Sequence, residues 1–296
     1  MLVGQPSLDQ LRVFLAVAEE GSFNKAAVRL GRAISVVSYA VAQLEAQLGV
    51  SLFARKGSRK PELTEAGTAL LAEARAVTDD VDALVAKVRN LRAGLEPELA
   101  LAVDVMVPGE RLAPILREFQ RLYPTVTLRL HVEALGAVAA LVIEGRADLA
   151  IGGPVAADCP ELERRRVGSV ELIPVAAPDH PLARMARIPP GETRKHMQLV
   201  LTDRSPLTEG RDFSVIGARS WRLADLGAKH VLLREGLGWG NMPRHAVAAD
   251  LASGALVQLA VPEGPHFEFQ LSALWRRDRL PGPAACWMLS SFEQAL

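Results

Sequence analysis

A chain of 296 residues exceeds one typical domain, so two domains are expected, each large enough to bury its own core. Lysine plus arginine equals aspartate plus glutamate at 34 each, and the two cysteines, Cys159 and Cys286, are far apart. No apolar stretch reaches the roughly 18 residues that span a bilayer, and no leader pattern opens the chain. These features exclude a disulfide scaffold, a membrane-embedded protein and a uniformly basic nucleic-acid binder, and they predict a reducing, cytoplasmic setting. The charge is nevertheless uneven. Residues 1–64 hold eight bases against five acids, a net of +3, which leaves −3 on the remainder. Such asymmetry hints at a basic binding module joined to something else.

Ser7-Leu8-Asp9-Gln10 forms a capping box, and Leu8, Leu11, Phe14, Leu15 and Ala18 follow at three- and four-residue spacing, which predicts a helix up to Gly21. Ser22 caps a second, shorter helix that turns inward Phe23, Ala26, Ala27 and Leu30. Gly31 supplies the turn before a third, from about Ala33 to Leu48. Two helices around a glycine turn make a helix-turn-helix. Gly49 closes the third helix, and Leu52-Phe53 and Leu63 read as short strands flanking the basic loop Arg55 to Pro61, a wing.

Thr64 caps a long helix in which Leu70, Ala74, Val77, Val81, Leu84, Val88, Leu91 and Leu95 alternate at spacings of four and three. The heptad predicts a dimerisation helix over 65–96; the alternative is an amphipathic helix packed on its own domain. Gly94-Leu95-Glu96-Pro97 marks the domain boundary.

Beyond Pro97 the pattern becomes βαβ: strands at Leu99 to Val105, Val126 to Val132 and Ala147 to Gly152, with helices at Glu110 to Leu122 and Ala137 to Glu144. A second set places strands near Val170 to Ala176, Gln198 to Leu201, Trp239 to Met242 and Leu256 to Leu259, with helices at Leu223 to Glu235 and Arg244 to Ala252. Two α/β lobes on a largely parallel sheet are expected, lobe I over about 97–167 and 266–296 and lobe II over about 168–265. The last strand, Phe269 to Trp275, and the helix Ala284 to Gln294 return to lobe I. Arg164-Arg165-Arg166 reads as a solvated strand edge.

The run Phe14-x-x-Val17-x-x-x-Gly21-Ser22-Phe23-x-x-Ala26-Ala27-x-x-Leu30, then Ser35, Val37, Ser38, Leu44-Glu45, Leu48-Gly49, Leu52-Phe53-x-Arg55 and Leu63-Thr64-x-Ala66-Gly67, closely resembles the LysR-type transcriptional regulators. Tyr123-Pro124, Gly145-x-Ala147-Asp148-Leu149-Ala150-Ile151 and Gly236-x-Gly238 before Met242-Pro243 resemble that family's effector domain. The resemblance implies a winged helix-turn-helix, a linker helix that pairs two copies, and a two-lobed α/β domain of the periplasmic-binding-protein type (type 2) that senses a small molecule. It also implies double-stranded DNA as partner and assembly into a dimer and a tetramer. The chain departs from the family where DNA would be read. Ala33-Ile34 stands in place of a common Ser-Gln pair, and Tyr39 in place of a frequent arginine.

A recognition helix meets base edges with its first residues. Ser35, Ser38 and Tyr39 sit there with hydroxyls for bases or phosphates. Ile34 has only apolar contact to give, as to a thymine methyl, unless it is core, and Arg32, Arg55, Arg59 and Lys60 suit phosphates. In two-lobed α/β receptors the ligand lies beyond the carboxyl ends of the strands. Those ends nominate Met106, Val107, Pro108, Leu135, Gly136, Gly152, Thr202, Asp203, Arg204, Trp239 and Asn241. Trp239 offers a flat face, Asp203, Arg204 and Asn241 polar orientation. The alternative is that Trp239 fills core and that Asp203 and Arg204 pair at the surface. The apolar Met106-Val107-Pro108 turn makes a simple carboxylate effector less expected.

Rival functions lack their chemistry. Ser22-Phe23-Asn24-Lys25 has Ser-x-x-Lys spacing without the companion motifs of an acylating serine, and Gly236-Leu237-Gly238 lacks the third glycine of a dinucleotide fingerprint. The six histidines, His131, His180, His196, His230, His245 and His266, are scattered singly, so neither a metal nor another cofactor is expected. An enzyme or free-standing solute receptor is the remaining alternative, without a visible nucleophile, base and orienting acid to support it.

Overall fold

The computed structural model describes residues 5–54, 60–92, 94–154, 159–211, 213–264 and 267–296. Contacts divide the chain into two compact units, Met1–Asn90 and Leu91–Leu296.

The first unit contains α1 (Leu8–Glu20), α2 (Phe23–Leu30), α3 (Ile34–Leu48) and the N-terminal part of α4 (Glu65–Arg92). The expected capping box is formed: the Gln10 N–H donates to Ser7 Oγ at 3.2 Å and the Ser7 N–H to Gln10 Oε1 at 2.8 Å. Gly21, Gly31 and Gly49 each end their helix in the left-handed region, where a side chain would be strained. Phe14, Val17, Ala26, Val37, Leu44 and Leu52 fill the core. Phe53 and Leu63 make one antiparallel bridge at the base of the wing, and Glu45 Oε1 accepts from the N–H groups of Leu52 and Phe53. Gly67 opens α4 against this bridge so closely that a Cβ would stand 2.2 Å from Leu52 O, so only glycine fits. Thr64 Oγ1 caps the helix on the Gly67 N–H at 3.0 Å.

The heptad of α4 splits by role. Leu70 and Ala74 pack into the core of the first unit, whereas Val77, Leu84 and Val88 are exposed and Val81 is half-buried. The helix stops at Arg92, and Leu95 packs against the second unit's core, so the seam is shorter than its sequence period suggests.

The second unit begins with β1 (Glu98–Asp104), α5 (Gly109–Leu122), β2 (Thr127–Glu133), α6 (Gly136–Ile143) and β3 (Leu149–Gly152), with β2 and β3 parallel to β1 on either side. A long strand, β4 (Leu162–Ala176), leads to β5 (Gln198–Leu201), β6 (Ser220–Leu223), α7 (Leu226–Arg234), β7 (Trp239–Pro243), α8 (Ala248–Ser253) and β8 (Val257–Gln258). Finally β9 (Phe267–Arg276) and α9 (Pro283–Ala295) return to the first lobe, with β9 antiparallel to β3 and α9 against α5. Among the described residues the strand order is β2-β1-β3-β9-β4-β7-β5-β6, with β8 on β4. Each lobe thus keeps a parallel trio, and the antiparallel pair β4 and β9 runs through both.

Three expectations need correction. The sheet is mixed, because the strands that connect the lobes run against their neighbours. β4 starts at Leu162, eight residues ahead of the apolar run, since its first half is an exposed ribbon held by β9 and carries Arg164, Arg165 and Arg166 on the surface. Ser220–Leu223 is a strand ahead of α7; it lies at the sheet edge with Trp221 and Arg222 exposed, so it lacks the apolar alternation that reveals a half-buried strand. Asp225 then caps α7 through the Ala228 N–H.

Candidate functional site

On α3 the alternation of burial sets one face against the core and offers the other to solvent. Val37, Val41 and Leu44 are buried, which turns Ile34 (48% exposed), Ser35, Ser38 and Tyr39 (65% exposed) outward. Ile34 is therefore not core. An apolar methyl group, two hydroxyls and a phenol form a contiguous exposed patch on the first turns of the helix. The Tyr39 hydroxyl accepts from Gln43 Nε2 at 2.7 Å, which holds the ring along the helix surface.

Arg32 precedes this helix, and its guanidinium makes a two-pronged pair with Asp9, both distances 2.7 Å. The Arg32 hydrogen bond holds the Asp9 carboxyl below its ordinary range. The pair is exposed, so it costs little to open when a phosphate competes for the arginine. Lys60 is exposed; Arg55 and Arg59 lie outside the described residues.

The second feature is a cavity of about 250 Å³ between the two lobes of the second unit. Met106 and Leu135 contribute from the first lobe, Lys229 and Asn241 from the second, and Leu172 and Phe269 from the connecting strands. Of the nominated residues, this cavity brings together Met106, Leu135 and Asn241. Trp239 is wholly buried among Ala176, Leu182, Ile188 and Leu259, and so fills core; it shares a face of β7 with Asn241 but lies two residues back along the strand, outside the cavity wall. Gly152 packs beneath Leu274 and Val138; Val107, Pro108 and Gly136 lie outside the cavity wall. Asp203 and Arg204 line a second, more polar groove between the lobes, with Glu133, Ala137 and Glu144 opposite, and Thr202 lines a further groove on the second lobe. Asp203 does not pair with Arg204 there: its Oδ2 accepts the Ala137 N–H at 2.6 Å and its Oδ1 the Thr208 hydroxyl, so it caps α6 across the cleft.

Two ionisable groups at the cleft escaped sequence reasoning. Asp104, at the end of β1, is buried and accepts the Met106 N–H at 2.9 Å and the Leu135 N–H at 3.1 Å. Burial pushes its pKa up to about 7, against those two hydrogen bonds and with a contribution from the nearby Asp203 charge. Lys229, on α7, is 3% exposed, and its Nζ donates to the Asn241 carbonyl at 2.6 Å. Burial alone draws its pKa down to about 7; no charged neighbour contributes. Gly240 makes room for it, since a Cβ there would stand 3.2 Å from Lys229 Cε and 2.4 Å from Leu199 O. Beside it, Asn241 Oδ1 is buried without a hydrogen bond among the described residues. Nothing in Ala228-Lys229-His230 distinguishes this lysine from a solvated helix residue. The missing signal was the glycine in the strand packed against it.

Such a cleft holds a small apolar body and orients it with an amine and a carboxamide. No group of three or more His, Cys, Asp or Glu among the described residues is placed to hold a metal ion. No helix among them is long and apolar enough to cross a membrane.

Comparison with known proteins covers both units. Residues 8–68 match the family model described as bacterial regulatory helix-turn-helix protein, lysR family, and residues 92–296 the model described as LysR substrate binding domain. The Escherichia coli (strain K12) protein YeeY, described as an uncharacterized HTH-type transcriptional regulator, is 30% identical over 270 residues, 89% of this chain and 86% of its own. The HTH-type transcriptional regulator PunR of the same organism is 30% identical over 282 residues, 94% of this chain and 90% of its own. Among solved structures, full-length LysG from Corynebacterium glutamicum, with bound effector Arg, superimposes with a TM-score of 0.51 at 23% identity, covering 98% of this chain and 97% of that one. At that identity it speaks for the fold.

Proposed function

The chain belongs to the LysR family of transcriptional regulators, and on that premise we propose that it reads an operator through the exposed face of α3 and answers to a small molecule held between its lobes. In this reading residues 1–64 are the DNA-binding head, 65–96 the linker and 97–296 the effector domain. Ser35, Ser38 and Tyr39 meet base edges, Ile34 meets a thymine methyl, and Arg32, Arg55, Arg59 and Lys60 hold phosphates. The protein works in the cytoplasm as a homodimer paired along α4 and assembles further into a tetramer.

The observation that carries the reading is the α3 patch: Ile34, Val36 and Tyr39 are large side chains held in solvent on a helix whose other face is packed through Val37, Val41 and Leu44. A fold rarely leaves such a patch without a partner. Footprinting on the DNA upstream of the protein's own gene tests it. Protected, two-fold related half-sites are expected, with Ser38→Ala and Tyr39→Ala changing the preferred bases by about 1 to 3 kcal/mol at single positions. Equal affinity for that region and for random DNA at physiological salt would sink it.

A further inference from the structure

The cleft's polar equipment is unbalanced. Lys229 is the one titratable side chain among the described residues that line the cavity; the rest of the wall is mostly leucine, valine, methionine and phenylalanine. An ammonium group has three donors, and Lys229 spends one on a backbone carbonyl. Among the described residues no carboxylate pairs with it: Asp104 is engaged with the Met106 and Leu135 N–H groups, and Asp203 with Ala137 and Thr208. A lysine buried this way is costly unless a ligand completes it, because desolvation penalises the ammonium and only a negative partner restores it. Other anchors are already engaged. Gln198, also in the wall, uses its side chain on Ser214 O and the N–H groups of Ile216 and Gly217, and the α6 N-terminus, an otherwise ready anion site, is capped by Asp203.

We propose that the effector is a small, mainly apolar monocarboxylate whose carboxylate seats on Lys229 Nζ, with the Asn241 side chain beside it and the apolar body against Met106, Leu135 and Phe269. This rests on the reading of the cleft as the effector site and adds the ligand's chemical class. The volume limits the body: a cavity of about 250 Å³ lies below the roughly 300 to 1,000 Å³ usual for ligand pockets, so it admits one ring or a short chain. A single cation selects one negative charge, because a second carboxylate would be buried without a partner. The apolar Met106-Val107-Pro108 turn argued against a carboxylate; Lys229 reverses that, by supplying the counter-charge from the opposite lobe.

Binding also moves a proton. At pH 8 a group of pKa about 7 is mostly neutral, so seating an anion on it takes up close to one proton from solution.

The test is isothermal titration of the full-length protein at pH 8, in two buffers of different ionisation enthalpy, with benzoate, hexanoate and their neutral amides as probes. The expected result is that at least one carboxylate binds with uptake of close to one proton and at least tenfold more tightly than its amide. Lys229→Met should abolish that preference while remaining folded by thermal denaturation, with amide binding unchanged or stronger. Amides that match the carboxylates in both proteins would overturn the anionic anchor and leave the cleft standing as a neutral ligand's site. Failure of every probe at millimolar concentration would overturn the proposed ligand class, while the DNA-binding reading stands or falls separately by footprinting.

Discussion

Asp104 and Lys229 carry opposite charges at a cost, and their costs meet at neutrality. The folded Asp104 keeps its proton up to about pH 7, whereas its unfolded form releases it near 3.8, so between those values the native state binds more protons and stability falls as pH rises. Lys229 is the reverse: from about pH 7 to 10.5 the unfolded chain binds more protons, so stability grows with pH across that window. Taken together the two groups place a stability minimum near pH 7, opposite to the usual broad maximum there. Each contribution is on the order of 1 to 4 kcal/mol after relaxation of the site. Asp104→Asn mimics the protonated carboxyl at every pH. In urea denaturation of the full chain, the wild type should gain stability relative to this variant on acidification from about pH 7 to 5, by roughly 1 to 2 kcal/mol. Parallel stability curves for the two proteins would show that Asp104 is ionised throughout and that its hydrogen bonds outweigh its burial.

At the scale of elements, α4 is the part of the first unit that its own core does not satisfy. Leu70 and Ala74 are absorbed by the head, and Arg12 and Arg75 tie the helix to it through Asp82 and Glu19, but Val77, Leu84 and Val88 continue the heptad with their side chains open to water and Val81 is only half-buried. A stripe of that spacing is satisfied by a second copy. Val81→Asp with Leu84→Asp should therefore leave the head folded, because neither residue belongs to its core, and should halve the mass seen in sedimentation and weaken operator binding by at least tenfold through lost avidity. Unchanged mass would show that this stripe is not the dimer seam. Helices α1–α3 of the head were legible from the sequence because each ends at a glycine and the first two open on a capping serine, signals that act locally. Strand β6 and the upstream half of β4 were not, since their residues are exposed and their pairing is decided by distant strands. The cleft was half legible: strand ends nominated Met106, Leu135 and Asn241, but Trp239, on the same face of β7, is taken up by core two residues back along the strand, and Lys229 reaches the cavity from α7, where a strand-end rule does not look.

For the whole molecule, a regulator needs the two ends of the chain to be energetically coupled, and a ligand supplies coupling only if it binds one lobe arrangement better than another. The cleft meets that condition in its construction. Its wall draws on both lobes, so the distance from Lys229 to Met106 and Leu135 changes with the lobe angle, and Asp203 reaches from the second lobe to the α6 N–H of Ala137 in the first, favouring the arrangement seen here. A carboxylate spanning the same gap adds to that bias. With a coupling of about 1 to 3 kcal/mol, a saturating ligand should change operator affinity roughly 5- to 150-fold, and linkage requires the operator to change ligand affinity by the same factor. Fluorescence anisotropy of labelled operator with and without the carboxylate found by titration, paired with titration of that carboxylate into the preformed DNA complex, measures both factors. Asp203→Ala should alter the coupling without touching the cavity wall, because it releases the lobes while leaving Lys229 in place. If the carboxylate binds wild type and operator affinity stays the same, the cleft is a binding site with no regulatory output.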